Sequence, residues 1–338
     1  MPLRSPPTTR GRSAVLPDPN SLYGPLDPAP DAGYENAPPR MGFFTDTSVC
    51  IGCKACEVAC KEWNGVPESG LDLLGMSYDN TGALTANSWR HVAFVEQPRP
   101  AGPHPSSADV LGEPVDGGPQ RSVDVGAGPQ FLGMPGAQPP GRGTGGEGRS
   151  DFRWLMMSDV CKHCTHAACL DVCPTGSLFR TEFGTVVVQE DICNGCGYCI
   201  SACPYGVIDQ RKGDGRAWKC TLCYDRLGAG MTPACAQACP TESIQYGPLD
   251  ELRERAAARV STLHERGVPE ARLYGEDPND GVGGDGAFFL LLDEPEVYGL
   301  PPDPVVTTRD LPAMWKRAGL AALAMAAATV AAFVGGSS

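Results

Sequence analysis

The stretch Cys193-Asn-Gly-Cys196-Gly-Tyr-Cys199-Ile-Ser-Ala-Cys203-Pro204 concentrates the chemistry open to this chain. Three cysteines at intervals of three, then a fourth four residues on and followed by proline, form a run that wraps thiolates around a cubane iron–sulfur cluster. Iron in such a cluster is matched to soft thiolate sulfur. Gly195 and Gly197 let backbone N–H groups turn towards the inorganic sulfides with no Cβ in the way. Cys203 lies past that loop, at the start of a helix, and in a two-cluster arrangement it serves the neighbouring cluster. One such run therefore predicts a partner run.

The sequence offers three. All 16 cysteines fall into four groups: Cys50, Cys53, Cys56, Cys60; Cys161, Cys164, Cys169, Cys173; Cys193, Cys196, Cys199, Cys203; and Cys220, Cys223, Cys235, Cys239. Proline follows the last cysteine of three groups, as Pro174, Pro204 and Pro240, and Lys61 follows the first. At four thiolates each, they predict four 4Fe-4S clusters. Groups one and four flank the central pair, and the economical solution inserts one bicluster module inside another. The expected ligand sets are Cys50, Cys53, Cys56 and Cys239 (cluster A); Cys220, Cys223, Cys235 and Cys60 (B); Cys161, Cys164, Cys169 and Cys203 (C); and Cys193, Cys196, Cys199 and Cys173 (D). A zinc knuckle competes for the fourth group taken alone, since its second interval is stretched, but Cys235-Ala-Gln-Ala-Cys239-Pro240 repeats the end of the ferredoxin run. His163 and His166 read as solvated or hydrogen-bonded imidazoles, because four cysteines are already available beside them. Trp63, Trp154 and Trp218 read as packing residues that exclude water.

The elements that must position these groups follow from the intervening sequence. Net charge is −13, from Asp+Glu 40 against Lys+Arg 27, and argues against a nucleic-acid partner. The first forty residues contain no apolar signal core, so the grouped cysteines point to metal rather than disulfides. Residues 1–40 read as a disordered Pro-rich tail. Residues 41–97 plus 215–249 form the outer bicluster module, with a strand entering at Met41, a helix from Ala55 to Trp63 and a strand over 89–97. Residues 98–150 read as a disordered Gly/Pro-rich insertion. Residues 151–214 form the inner module, with a strand from Phe152 and a hairpin turning near Gly184. The cysteine-free 250–312 carries an amphipathic helix from Asp250 to Glu265, a flexible Gly281-Val-Gly-Gly-Asp-Gly loop and a buried strand from Ala287. That loop lacks the flanks and the lysine of a phosphate cradle. Residues 313–338 are apolar over about the 20 residues that a membrane-spanning helix needs, and their many alanines suit docking in a membrane bundle. Lys316 and Arg317, on the side of the large domain, favour its cytoplasmic placement, which an exported catalytic partner would override. The fold class is α+β: two nested bicluster ferredoxin-like modules with a single C-terminal transmembrane helix.

This pattern resembles the four-cluster iron–sulfur subunit of membrane-bound molybdenum or tungsten oxidoreductases, above all the beta subunit of formate dehydrogenase. The resemblance rests on Cys56-Glu-Val-Ala-Cys60-Lys-Glu-Trp-Asn64, Lys162-His-Cys164, and Gly281-Val-Gly-Gly followed by Phe288 to Tyr298 and the terminal helix. The N-terminal tail and the 98–150 insertion depart from it. It implies a non-catalytic subunit that carries electrons from a molybdopterin subunit oxidising formate to a membrane subunit reducing quinone. The rival within this class is the equivalent subunit of a polysulfide, nitrate or dimethyl sulfoxide reductase, with electrons reversed; the rival outside it is a zinc-stabilised structural protein.

Overall fold

Met41-Gly-Phe-Phe-Thr-Asp begins the order: Phe43 and Phe44 point to opposite faces of one strand, and both are fully buried. A strand buried on both faces must be covered on both. The computed structural model shows how, and describes residues 28–70, 78–79, 81–99 and 151–335. A short helix α1 (Pro28–Asp31) precedes β1 (Met41–Asp46), α2 (Ala55–Asn64), β2 (Arg90–Arg99), β3 (Asp151–Val160), α3 (Ala168–Asp171), β4 (Leu178–Arg180) and β5 (Val186–Val188). There follow α4 (Tyr198–Ala202), β6 (Asp209–Gln210), β7 (Ala217–Trp218), α5 (Tyr224–Gly228), α6 (Ala234–Gln237) and β8 (Ile244–Pro248). The last elements are α7 (Leu249–Glu265), β9 (Arg272–Tyr274), β10 (Ala287–Leu291) and α8 (Leu311–Gly335).

The main sheet has the order β8-β1-β10-β9. β1 runs antiparallel to β8, with Phe43 opposite Tyr246, and parallel to β10, with Phe44 opposite Phe288. Two cores result. Phe43, Phe289 and Leu291 join Cys56, Cys60 and Cys235 on one face, and Phe44, Phe288 and Leu290 meet Leu249, Leu252, Ala256 and Leu263 of α7 on the other. The last four recur at helical spacing, which is why α7 presents one apolar stripe. Each buried Phe or Leu is worth about 1.5–3 kcal/mol relative to exposure. On the cysteine side, α2 packs against α6 and α3 against α4, so each pair of short helices joins two cysteine groups. β2 pairs with β3, and β4 turns into β5 as an antiparallel hairpin.

The described residues up to 95 and from 155 onward form one compact unit, and those between 96 and 154 belong to a second. In the second, Arg153 Nε donates to Gln97 Oε1 at 2.9 Å. Most of the expected insertion, residues 100–150, lies outside the described residues, as do residues 1–27 of the expected tail.

Two expectations are corrected. The end of the expected disordered tail is ordered: Ala29 is buried, Tyr34 Oη donates to the Arg180 carbonyl at 3.2 Å, and Arg40 Nη1 donates to Thr165 Oγ1 at 2.7 Å. Pro-rich composition does not prevent ordering where a buried cation and an aromatic ring find oxygen partners. The Gly281–286 segment is not a flexible loop, since residues 282–286 are all buried. Its carbonyls accept from Thr165 N–H and His166 N–H, and Gly286 N–H donates to the His163 carbonyl. Its glycines allow close approach: a Cβ on Gly283 would come within 2.4 Å of His166 Cδ2.

α8 runs 25 residues. Its Met314–Gly335 stretch is long and apolar enough to cross a membrane, and none of it is buried in the protein.

Candidate metal centres

The four cysteine groups share one backbone device. The residue before the second cysteine adopts a left-handed conformation in every group: Gly52 (φ 64°), His163 (φ 48°), Gly195 (φ 72°) and Leu222 (φ 56°). A left-handed residue in a tight turn aims successive N–H groups to one side, forming an anion-binding concavity. At Gly52 the position is also crowded, since a Cβ would lie 2.7 Å from Phe94 and Met156 atoms. Lys54 (φ 59°) and Gly197 (φ 77°) repeat the conformation just before α2 and α4. Spacing pointed to Gly195 and Gly197; His163 and Leu222 carry no such signal, because neither residue type favours that backbone.

Cys50, Cys53, Cys56 and Cys239 line one cavity of about 290 Å³, with Ser158 and Ser243 also on its wall. Cys56 Sγ lies 3.2 Å from Ser158 Oγ. Cys161, Cys164, Cys169 and Cys203 line a second cavity of about 380 Å³, together with His163 and Lys219. Cys60 and Cys223 converge on one amide: Asn64 Nδ2 stands 3.8 Å from the first sulfur and 3.9 Å from the second. Burial first, then the charges of Cys220, Cys235 and Cys223, holds the Cys60 thiol well above its ordinary pKa. Burial and then Cys173, Cys193 and Cys196 push Cys199 to about 11. None of the sixteen cysteines is in a disulfide.

The four gatherings also adjoin. Cys235 acts on Cys56, Cys161 acts on Cys220, and Cys199 acts on Cys169. Cys53 and Cys196 are exposed, whereas Cys60, Cys220, Cys223 and Cys235 are all buried.

The donor set fits iron–sulfur clusters. Buried thiols such as Cys169 and Cys220, raised to about 12 chiefly by desolvation, become stable thiolates only when a cation replaces the proton. Among the described residues, no three His, Cys, Asp or Glu side chains converge closely enough for a single metal ion, as a zinc knuckle at the fourth group requires.

His163 is buried, not solvated; burial and then Lys219, Arg180 and Arg40 push its pKa well down. The neutral ring accepts from Val186 N–H at Nδ1, leaving the proton on Nε2, which has no hydrogen-bond partner. Such an orphaned donor on the wall of a four-cysteine cavity fits an acceptor filling that cavity. Trp218 stacks on Trp89 with ring centroids 6.1 Å apart, a packing role. Trp63 and Trp154 are corrected, being 44% and 36% exposed; Trp63 Nε1 donates to Asp225 and its ring carries Arg226 at 4.1 Å. Sequence reasoning gave no role to Arg90, Lys162 and Lys219, cations buried to within 2% among the cysteines. Lys162 sits in the Lys162-His-Cys164 run, and no local motif marks the other two.

Two family models described as "4Fe-4S dicluster domain" match residues 152–249 and 49–177. The fold and its thiolate gatherings thus define an electron-transfer protein carrying four 4Fe-4S clusters. The iron–sulfur subunit of nitrate-inducible formate dehydrogenase of Escherichia coli is 35% identical over 294 residues, 86% of this chain and 81% of that protein. The formate dehydrogenase iron–sulfur subunit of Haemophilus influenzae is 34% identical over 83% of this chain and 74% of its own length. One polypeptide of the anaerobic dimethyl sulfoxide reductase of Escherichia coli is 30% identical over 64% of this chain and 77% of its own length. The protein described here belongs to the family of formate dehydrogenase iron–sulfur subunits.

Proposed function

We propose that this chain conducts electrons between a molybdopterin subunit that oxidises formate and a membrane subunit that reduces quinone. The carrying observation is that cysteines of different gatherings pack together, Cys56, Cys60, Cys220, Cys235 and Cys161 in one core and Cys169, Cys203, Cys173, Cys193 and Cys199 in another, while Cys53 and Cys196 are exposed. We assign the ligand sets as Cys50, Cys53, Cys56, Cys239 (A); Cys60, Cys220, Cys223, Cys235 (B); Cys161, Cys164, Cys169, Cys203 (C); and Cys173, Cys193, Cys196, Cys199 (D), in the order A–B–C–D. When bound, each 4Fe-4S cluster takes up and releases one electron at a time. The chain's residues fix the spacing, exclude water from set B, and leave the Cys53 and Cys196 loops open to partners. Domain boundaries follow the same assignment, with sets C and D on an inner module, 151–214, enclosed by an outer one, 41–97 with 215–249. α8 anchors the body to a membrane; Lys316 and Arg317 favour the cytoplasmic face, and an exported catalytic subunit would reverse the side.

Purification of the protein from anaerobically solubilised membranes tests the reading. The expected result is about sixteen irons with matching sulfide per chain, a molybdopterin subunit in the complex, and formate-driven dye reduction. A complex inert to formate that oxidises reduced dye when given dimethyl sulfoxide would reverse the direction and refute the formate assignment.

A further inference from the structure

Arg90 on β2 is a buried cation that forms no ion pair with a carboxylate among the described residues. Its side chain is among the largest that are fully buried, and the residue is 2% exposed. Nη1 donates to the Ser158 carbonyl at 3.2 Å and to Ser158 Oγ at 3.0 Å, Nε and Nη2 have no nitrogen or oxygen partner, and the guanidinium is a side-chain hydrogen-bond donor to the Cys235 sulfur. The Phe43 ring lies 5.0 Å from the guanidinium carbon. An unpaired charge in such a place costs several kcal/mol, so something negative must face it. Burial alone would lower its pKa, yet the pKa is raised, because the charges acting on it are the thiolates of Cys235, Cys56, Cys220 and Cys60. Those four do not belong to one ligand set: Cys56 is assigned to set A, and Cys235, Cys220 and Cys60 to set B. Ser158 ties the geometry together, since the hydroxyl that receives Arg90 also touches Cys56 Sγ at 3.2 Å.

We propose that Arg90 is a positioning residue for electron transfer, a single fixed positive charge shared by clusters A and B that favours the reduced state of both. The physical basis is Coulombic. A thiolate-ligated cluster becomes more negative on reduction, and an adjacent cation in a dry, low-dielectric site stabilises that state more than the oxidised one. A charge placed between two clusters moves both potentials in the same direction. It offsets, without altering, the repulsion between an electron on A and an electron on B, because each is separately attracted to the same fixed charge. Arg suits the role because its charge does not titrate in the accessible range.

The inference rests on the ligand sets proposed above. Its test is an EPR-monitored redox titration of the intact complex carrying Arg90→Gln or Arg90→Lys, with iron and sulfide counts on the same samples. Signals are assigned to A and B by Cys53→Ser and Cys223→Ser. In R90Q the reduction equilibria of A and B should each fall about tenfold, which for a one-electron couple is about 59 mV, with C and D unmoved. R90K should stay near the parent. Loss of A and B in R90Q with their retention in R90K would support the shared charge, since Lys keeps a cation at the site and Gln does not. The proposal is overturned if potentials do not move, if all four shift alike, if R90K falls as far as R90Q, or if both variants lose the clusters. A parent complex with fewer than four clusters would instead defeat the ligand sets before Arg90 is tested.

Discussion

Cys60, Cys220, Cys223 and Cys235, in the interior, and the Cys53 and Cys196 loops, at the ends, hold the same kind of sulfur in opposite settings. The interior four are all buried, with Arg90 and Lys219 buried beside them. The end loops expose a cysteine each and carry uncovered apolar side chains, Ile51 at 58% and Tyr198 at 61%. An interior set must keep its charges stable without water, so it needs cations and close packing. An end set must come near a partner, so it gives up burial for reach. Backbone geometry is common to both, and the surroundings differ.

The sharpest way to break this comparison is to remove one sulfur from each setting. Cys220→Ser should cost about four irons per chain and abolish formate-to-quinone transfer, while formate-to-dye activity at the catalytic subunit persists. Cys53→Ser should also lose about four irons but leave the other clusters' EPR signals intact. Equal damage to all clusters by both variants would erase the distinction.

Backbone crowding should differ in the same sense. Gly283 (φ 76°) faces His166 closely, whereas Gly267 (φ 81°), just past α7, has open space around it. Gly267→Ala should cost only the left-handed backbone term, about 1–2 kcal/mol. Gly283→Ala adds overpacking of about 1–3 kcal/mol. Urea midpoints of the anaerobic, loaded complex should rank them in that order.

At the end loops, Ile51→Asp and Tyr198→Asp should leave iron content unchanged and slow partner-linked electron transfer about tenfold, equivalent to ~1.4 kcal/mol. Unaltered rates in both would show that these loops do not meet partners. The smallest effect is expected at Asp79, whose carboxylate pairs with His91 Nε2 at 2.8 Å and faces Lys54 at 3.7 Å. Burial opposes its ionisation, but the Gly82 N–H, His91 and Lys54 outweigh it and hold the pKa below the ordinary value. Its stabilisation is therefore present above the usual carboxylate pKa and lost as pH falls through the depressed one. Asp79→Asn should remove that acid-side dependence and cost about 0.5–1.5 kcal/mol near neutrality, read from denaturation midpoints against pH.

Much of this was legible in residue order. Helix α2, the hairpin at Gly184, helix α7 and the buried strand β10 follow from periodicity, and the clusters follow from cysteine spacing. Gly281–286 was misread as flexible because its composition matches that of a loop, while its order comes from hydrogen bonds to residues 163–166 more than a hundred positions away. Arg90 looked like one more polar residue in a strand. Its role depends on what surrounds it after folding, and nothing next to it in the sequence announces that. The left-handed His163 and Leu222 escaped for a similar reason: local preference opposes the conformation, and the turn around the metal site imposes it.

The parallel pairing of β1 with β10 sets a timetable. Thr47 donates to the Leu290 carbonyl across 243 positions, so the first strand of the main sheet cannot be completed until almost the whole chain has been made. At roughly 5–20 residues per second, the nascent Cys50 loop waits on the order of 12–50 s for its neighbour strand. During that interval its thiols lack that covering strand and stand open to oxidation. A ribosome-bound intermediate of this chain is thus a long-lived, half-built metal site, and the last strand to emerge is the one that closes it.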